Sequence, residues 1–318
     1  MPKQDPLITG AMNARLQGSA KTVMQHKDEA QRFVSELREL GYGVQRWENV
    51  SNKHVAEVAE AWVDRGLAAA TVKEYLSGVR AVANAYGNEQ IRERNDFKND
   101  AGEVIVPARV YVTNEDKAVP QDVYERAVER LGSGEFGEDG QRLAAQMGLM
   151  RELGLRHEEA RKFNPDKAVQ ADGRFWISDG TKGGRERMMD APTERQQAAT
   201  DAIRPWMSGR WHNSMPDGMK EKAWEDRAYS LATAVGISKE ACGASFHGLR
   251  HAYAMERYEG LTGFRSPSAG GTIEAAERQA GEGWKKLDAD ARNVLKAELG
   301  HGPDRDSVVS TYVGSWSK

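Results

Sequence analysis

Apolar positions recur every three or four residues through most of the chain, the spacing of one face of an α-helix. Val23, Ala30, Phe33, Val34, Leu37 and Leu40 form one such stripe, and it ends at Gly41, the residue type best suited to the left-handed conformation that closes a helix. Val55, Val58, Ala59 and Trp62 form a second stripe that stops near Gly66, with Ser51 or Asn52 placed to cap its start. A third runs from Thr71 through Val72, Tyr75, Leu76, Val79 and Val82 to Tyr86 and Gly87. Three amphipathic helices with short glycine-ended links predict a small helical bundle.

The character changes between Asn88 and Lys117, where a charged run from Arg92 to Asp100 leads into an Asp-Ala-Gly turn and the β-prone Val104-Ile105-Val106-Pro107. Such punctuation suits a hinge between domains. Helical spacing returns at Val123, Ala127, Val128 and Leu131 and again at Leu143, Met147, Met150 and Leu153, with a Gly-rich loop, 132–140, between them. One β signal stands out: Phe175-Trp176-Ile177, a turn through Ser178-Asp179-Gly180 and Lys182-Gly183-Gly184, then Arg185 to Met189, which predicts a hairpin. Further helices are predicted from Thr193 toward Trp206 and over Glu221 to Val235, His247 to Tyr258, Ile273 to Ala280 and Trp284 to Leu299. The predicted fold is mainly α with a small β-hairpin. An N-terminal helical domain covers 1–112, with its hinge from about 88, and a mixed, mostly helical domain covers 113–318.

A length of 318 residues, 39% of them hydrophobic, supports two separate cores. Mean hydropathy is −0.71, and no apolar run approaches the roughly 20 residues needed to cross a bilayer. The start lacks the apolar core of a secretory signal, so a cytoplasmic protein is expected. Cys242, the single cysteine, excludes an internal disulfide and any multi-cysteine metal site. Lys and Arg number 45 against 48 Asp and Glu. A basic surplus is the usual mark of a nucleic-acid binder, so any DNA-binding face here must arise from segregation of charge in space.

Four short stretches offer chemistry. Arg156, within Gly-Leu-Arg-His-Glu-Glu, has Glu159 three residues on and sharing its face; a guanidinium so oriented can fork onto phosphate oxygens. Lys182 lies between turn-forming residues at the hairpin tip, where a lysine could be projected into a cleft. His247 and Arg250, within His-Gly-Leu-Arg-His, share a helix face and could present imidazole and guanidinium to one anion. His247 and His251 have zinc-helix spacing, but Gly248 stands where a zinc hydrolase needs glutamate. His301 follows Gly300, and Tyr312 lies eleven residues further on. Taken singly, each is more often mundane: a surface ion pair, a solvated lysine, a cap or a core tyrosine.

Taken in order, Arg156, Lys182, His247, Arg250, His301 and Tyr312 resemble the active-site set of the tyrosine recombinases, or phage-type integrases. The strings Gly-Leu-Arg-His-Glu-Glu-Ala, Thr-Lys-Gly-Gly-Arg-Glu-Arg, His-Gly-Leu-Arg-His-Ala-Tyr-Ala and Leu-Gly-His carry the resemblance over roughly residues 145–313. The three N-terminal helices are similar to the family's core-binding domain by pattern, most clearly in Thr71-Val72-Lys73-Glu74-Tyr75-Leu76-Ser77-Gly78-Val79-Arg80. Two spacings depart from the family. Fifty-one residues separate Arg250 from His301, with 260–284 reading as a Gly-, Ser- and Glu-rich insertion, and the interval to Tyr312 is slightly long. Six residues follow Tyr312, which leaves little chain for the family's exchange of a C-terminal helix; any contact between copies is expected from the insertion.

The resemblance implies a site-specific DNA recombinase that cleaves and rejoins strands through a 3′-phosphotyrosyl intermediate, serving a prophage or similar mobile element and needing neither metal nor other cofactor. Tyr312 would be the nucleophile, and Arg156 and Arg250 would neutralise the scissile phosphate with help from His247. Lys182 would protonate the leaving 5′-oxygen and His301 would assist Tyr312. Glu159 would support Arg156, His251 would be structural, and Lys73 and Arg80 would touch DNA from the N-terminal domain. The implied partners are double-stranded attachment sites and three further copies in a tetramer, with an excision factor and a DNA-bending protein as the accessory partners the family allows. A catalytically silent DNA-binding relative, a type IB topoisomerase-like enzyme and, more remotely, a metal-dependent phosphodiesterase remain as alternatives.

Overall fold

The computed structural model describes residues 5–92, 96–99, 101–108, 110–190, 192–207, 213–302 and 306–317. The chain divides into two compact units between Val110 and Tyr111.

The first unit contains α1 (Pro6–Asn13), α2 (Ala20–Glu39), α3 (Asn52–Asp64) and α4 (Ala69–Ala85). The last three follow the predicted stripes: Phe33, Val34 and Leu37 of α2, Val55, Val58 and Trp62 of α3, and Val72, Leu76 and Val79 of α4 are all buried together. Ser51 caps α3, its hydroxyl accepting from the His54 N–H while His54 Nδ1 accepts from the Ser51 N–H. Helix α1 was not predicted. Its start is fixed by Asp5, which accepts from the Leu7 N–H at 2.8 Å and pairs with Arg38 of α2. Much of the stretch expected as a hinge packs into this core as well, because Ile91, Phe97, Ile105 and Val106 are apolar and buried. Val104 forms an isolated bridge with Lys98, and no strand grows from it.

The second unit is built around α6 (Gly137–Glu152), which packs against α5 (Gln121–Gly132), α9 (Glu194–Ile203) and α12 (Gly248–Thr262). The expected Gly-rich loop is shorter than its composition suggests, because α6 already begins at Gly137, with Glu138 and Asp139 favourably placed at the positive end of the helix dipole. Buried Gln146 of α6 satisfies three groups, donating to Ser214 and accepting from the Trp224 indole and the His157 ring. After α6 come two short helices, α7 (His157–Lys162) and α8 (Pro165–Ala168). The hairpin of β1 (Phe175–Ile177) and β2 (Arg187–Met189) pairs Phe175 with Met189 and Ile177 with Arg187, and its connection contains a 3₁₀ turn over Lys182–Gly184. Helices α10 (Glu221–Ala234) and α11 (Lys239–Cys242) precede α12.

The segment read as an insertion is folded, and its predicted helix over Ile273 to Ala280 is present. Helix α12 runs on to Thr262, a 3₁₀ turn covers Pro267–Ala269, and α13 (Ile273–Ala280) passes through a second such turn into α14 (Trp284–Glu298). Phe264, Ala276 and Trp284 join the core and hold this segment closed. Helix α15 (Asp306–Val313) carries Tyr312. Among the described residues no helix is long and apolar enough to cross a membrane.

At Gly78, α4 packs tightly against α2. A methyl group there would meet the Glu29 side chain at 2.5 Å and the His26 carbonyl at 2.8 Å. Alanine is the better helix former, yet Gly78→Ala is expected to destabilise the protein by about 1–3 kcal/mol through overpacking, as read by denaturant unfolding.

Candidate active site

A single buried carboxylate organises the site. Glu159 of α7 is fully buried and accepts from the Arg156 backbone N–H (2.8 Å) and from Arg156 Nη1 (2.8 Å). Arg187 of β2 adds two bonds at 3.1 and 2.9 Å, and Arg250 of α12 approaches to 3.6 Å. Burial alone would push the Glu159 carboxyl up, but Arg187, Arg250 and Arg156 outweigh it and hold the pKa down at about 2. The local sequence brings this about. Helix α6 ends at Glu152, Gly154 turns the chain with a φ of 59°, and Arg156 then caps α7 with Glu159 reaching back to it. No other residue fits at 154, since a Cβ would collide with the Tyr253 ring at 2.3 Å.

Arg250 is fully buried, and three groups fix its guanidinium. It donates to the carbonyls of Gly154 and Leu299, and its Nε donates to the Tyr312 hydroxyl at 3.2 Å. The Tyr312 ring also lies beneath the guanidinium, 5.5 Å from its carbon. His247, at the start of α12, has Nε2 3.5 Å from the same hydroxyl. His251 and His301 flank the tyrosine with ring centroids at 4.7 and 5.9 Å. Burial, reinforced by Arg250 and Arg156, holds the His247 pKa down at about 4 against the pull of Glu159. Burial likewise lowers His251 to about 3. Both imidazoles are therefore neutral near pH 7 and act through hydrogen bonds and packing. Among the described residues no group of three His, Cys, Asp or Glu is arranged to hold a metal ion.

Arg156, Glu159, His247, Arg250, His301 and Tyr312 thus meet in one place, with the phenol supplied by the same chain. Lys182 does not join them. It stands exposed on the hairpin turn and makes no hydrogen bond or ion pair among the described residues. In the N-terminal unit Lys73 and Arg80 lie two turns apart on one face of α4, and Arg80 Nε donates to the Arg92 carbonyl at 2.9 Å. Arg187 is a member that sequence reasoning passed over. Its signal was the period of the strand: with Met189 facing inward, residue 187 must face inward too. Arg187 also crowds the glycine before His301, where a Cβ would lie 3.0 Å from its guanidinium.

Two family models match the chain, "Phage integrase, N-terminal" over residues 9–92 and "Integrase" over residues 109–256, and between them they span most of it. The chain belongs to the tyrosine recombinase family. Arg156, Lys182, His247 and Arg250 fall within the integrase match, whereas His301 and Tyr312 lie beyond it, so their place in this recombinase's site rests on geometry. Solved structures share the fold. A lambda integrase tetramer bound to a Holliday junction is 16% identical with a TM-score of 0.56, over 94% of this chain and 74% of that one. XerH site-specific recombinase bound to difH substrate is 13% identical with a TM-score of 0.55, over 90% and 75%. The Tn1549 transposon integrase in complex with a circular intermediate DNA is 14% identical with a TM-score of 0.58, over 96% and 93%. No curated protein matches the chain in sequence.

A depressed carboxyl pKa contributes stability that is present above the ordinary value and lost as pH falls through the folded one. Ionised Glu159 should therefore support the recombinase fully above about pH 4.5 and progressively less toward pH 2. Glu159→Gln, which leaves three guanidiniums facing a neutral amide, is expected to cost about 3–5 kcal/mol at pH 7. Acid unfolding curves of the variant should also lose the part of the wild-type slope that lies between those two pH values.

Proposed function

We propose that this recombinase cleaves and rejoins duplex DNA at specific sites through a covalent link to Tyr312, in the service of a prophage or similar mobile element. The observation that carries the reading is the Tyr312 hydroxyl held 3.2 Å from Nε of a fully buried arginine and 3.5 Å from a neutral histidine. In this reading the phenol oxygen attacks a backbone phosphorus, the bond to the 5′-oxygen breaks, and a 3′-phosphotyrosyl ester forms. Arg156 and Arg250 neutralise the charge that grows on the non-bridging oxygens, and His247 donates a further hydrogen bond. The phenolic proton passes to His301, and Lys182 of the exposed hairpin turn supplies a proton to the departing 5′-oxygen, which leaves as the 5′-hydroxyl. The ester conserves the energy of the broken bond, so attack by a 5′-hydroxyl of another strand completes the exchange without ATP. Guanidiniums provide the charge stabilisation that a divalent ion would otherwise give.

Likeness to the lambda integrase tetramer on its junction supports assembly of four copies on paired duplexes. Lys73 and Arg80, sharing a face of α4, are assigned to phosphate contacts from the N-terminal unit. Such contacts make binding fall steeply as salt rises.

The test is a covalent-trapping assay with nicked suicide duplexes tiled across the DNA that flanks the protein's own coding region, in EDTA. A protein–DNA adduct on a denaturing gel that disappears in Tyr312→Phe is expected. Arg250→Ala should lower the rate of its formation by about 10² or more. Specific binding with no adduct on any substrate would instead identify a silent DNA-binding relative. Relaxation of supercoils without exchange of partners would identify a topoisomerase.

A further inference from the structure

One side chain bonds to the chain on both sides of Tyr312. Arg292 of α14 donates through Nη1 to the Ser310 hydroxyl, two residues before Tyr312, and to the Gly314 carbonyl, two residues after it, each at 3.1 Å. Its Nε donates to both oxygens of Asp288, one helical turn earlier, at 2.8 and 3.0 Å. Asp288 also accepts from the Tyr258 hydroxyl (2.5 Å) and the Trp316 indole N–H (2.9 Å). One largely buried carboxylate therefore ties together α12, α14 and the chain that follows the tyrosine. A simple i,i+4 ion pair would stabilise α14 alone, but here Nη1 goes to the flanks of Tyr312.

The dock for that following chain is the 260–284 segment. Trp316 packs against Phe264 and Trp284 with ring centroids at 6.1 and 5.4 Å. Gly314 presses so closely on the turn at Ser268 that a Cβ would lie 2.7 Å from its hydroxyl and 2.8 Å from its nitrogen. Asn114 closes the far side, donating to the Ser315 carbonyl at 3.0 Å and accepting from its N–H at 2.9 Å.

We propose that Asp288 and Arg292 are positioning residues for Tyr312, and that segment 260–284 serves to dock residues 314–316 within the same chain, so that the phenol stays registered on Arg250. This rests on the reading of Tyr312 as nucleophile. The long interval between Arg250 and His301 acquires a purpose: it supplies the aromatic seat and the carboxylate that hold the tyrosine helix from behind. A tyrosine held by one helix turn and no tail contact would sample a wider range of positions, and a shift of about 1 Å at a reacting group can cost about a hundredfold in rate.

The experiment compares the intact wild type with Arg292→Met, Arg292→Lys and Trp316→Ala on one suicide substrate, measuring the single-turnover rate of adduct formation at saturating protein. DNA affinity and thermal unfolding are measured in parallel. Arg292→Met should slow the adduct step about tenfold or more while affinity stays within about twofold. Lysine should restore part of the rate, since one ammonium can reach one of the two oxygens, and Trp316→Ala should show a smaller loss. Should Arg292→Met fail to fold, Gly314→Ala, which forces the tail off Ser268 and leaves the guanidinium in place, gives the same reading. Normal adduct rates in well-folded variants overturn the proposal, as does a rate that falls only in step with DNA affinity or folded fraction. An inactive wild type overturns the recombinase reading and this proposal together, whereas an active wild type with insensitive variants overturns this one alone.

Discussion

The carboxylate of Glu159, enclosed by the guanidiniums of Arg156, Arg187 and Arg250, is the constraint on which the second unit depends. Like charges brought together away from water repel strongly, and each also loses its hydration. One anion at the centre offsets both costs and orients the forks. Arg156 and Arg187 bind it directly, and Arg250 is held at its edge with two bonds directed to carbonyls and its Nε left for the tyrosine. The four charged residues come from α7, β2 and α12, so the same ion cluster is also what joins hairpin to helices.

That cluster sets the state of its neighbours. Positive charge and burial together keep His247 and His251 neutral, so the tyrosine sits among imidazoles that can exchange hydrogen bonds and add no further repulsion. Arg250 remains cationic despite its burial because a guanidinium holds its proton at any accessible pH. The result is a site in which three guanidiniums outnumber the one carboxylate that gathers them, with Arg250 against the phenol. A second network holds the chain on either side of the tyrosine, with Arg292 bonded to Ser310 and Gly314 and Asp288 bonded to Trp316.

Local pattern made much of the first unit legible. Helices α2, α3 and α4 follow stripes whose spacing is a property of neighbouring residues, and Gly41, Gly66 and Gly87 mark their ends with positive φ. Helix α1 escaped notice, and what fixes its start is long-range: Asp5 reaches Arg38 across 33 residues of sequence. The stretch after Asn88 looked like a linker by composition, yet its four apolar side chains found a core to enter. The hairpin was readable from Phe175 to Met189, and with it the inward place of Arg187, but the partner of that arginine was not.

By itself the sequence determined which side chains are present, the helices that their short-range spacing allows, and the ordered set of Arg, Lys, His and Tyr that resembles a recombinase. Only the tertiary structure decided that Arg250 reaches Leu299 and Tyr312, that Lys182 stands apart on its turn, and that residues 260–284 form a seat for the chain beyond the tyrosine. The physical reason is range. Helix periodicity and capping are settled among residues three or four apart, whereas a buried ion cluster and an aromatic seat exist only once helices distant in the chain have packed and excluded the water between them.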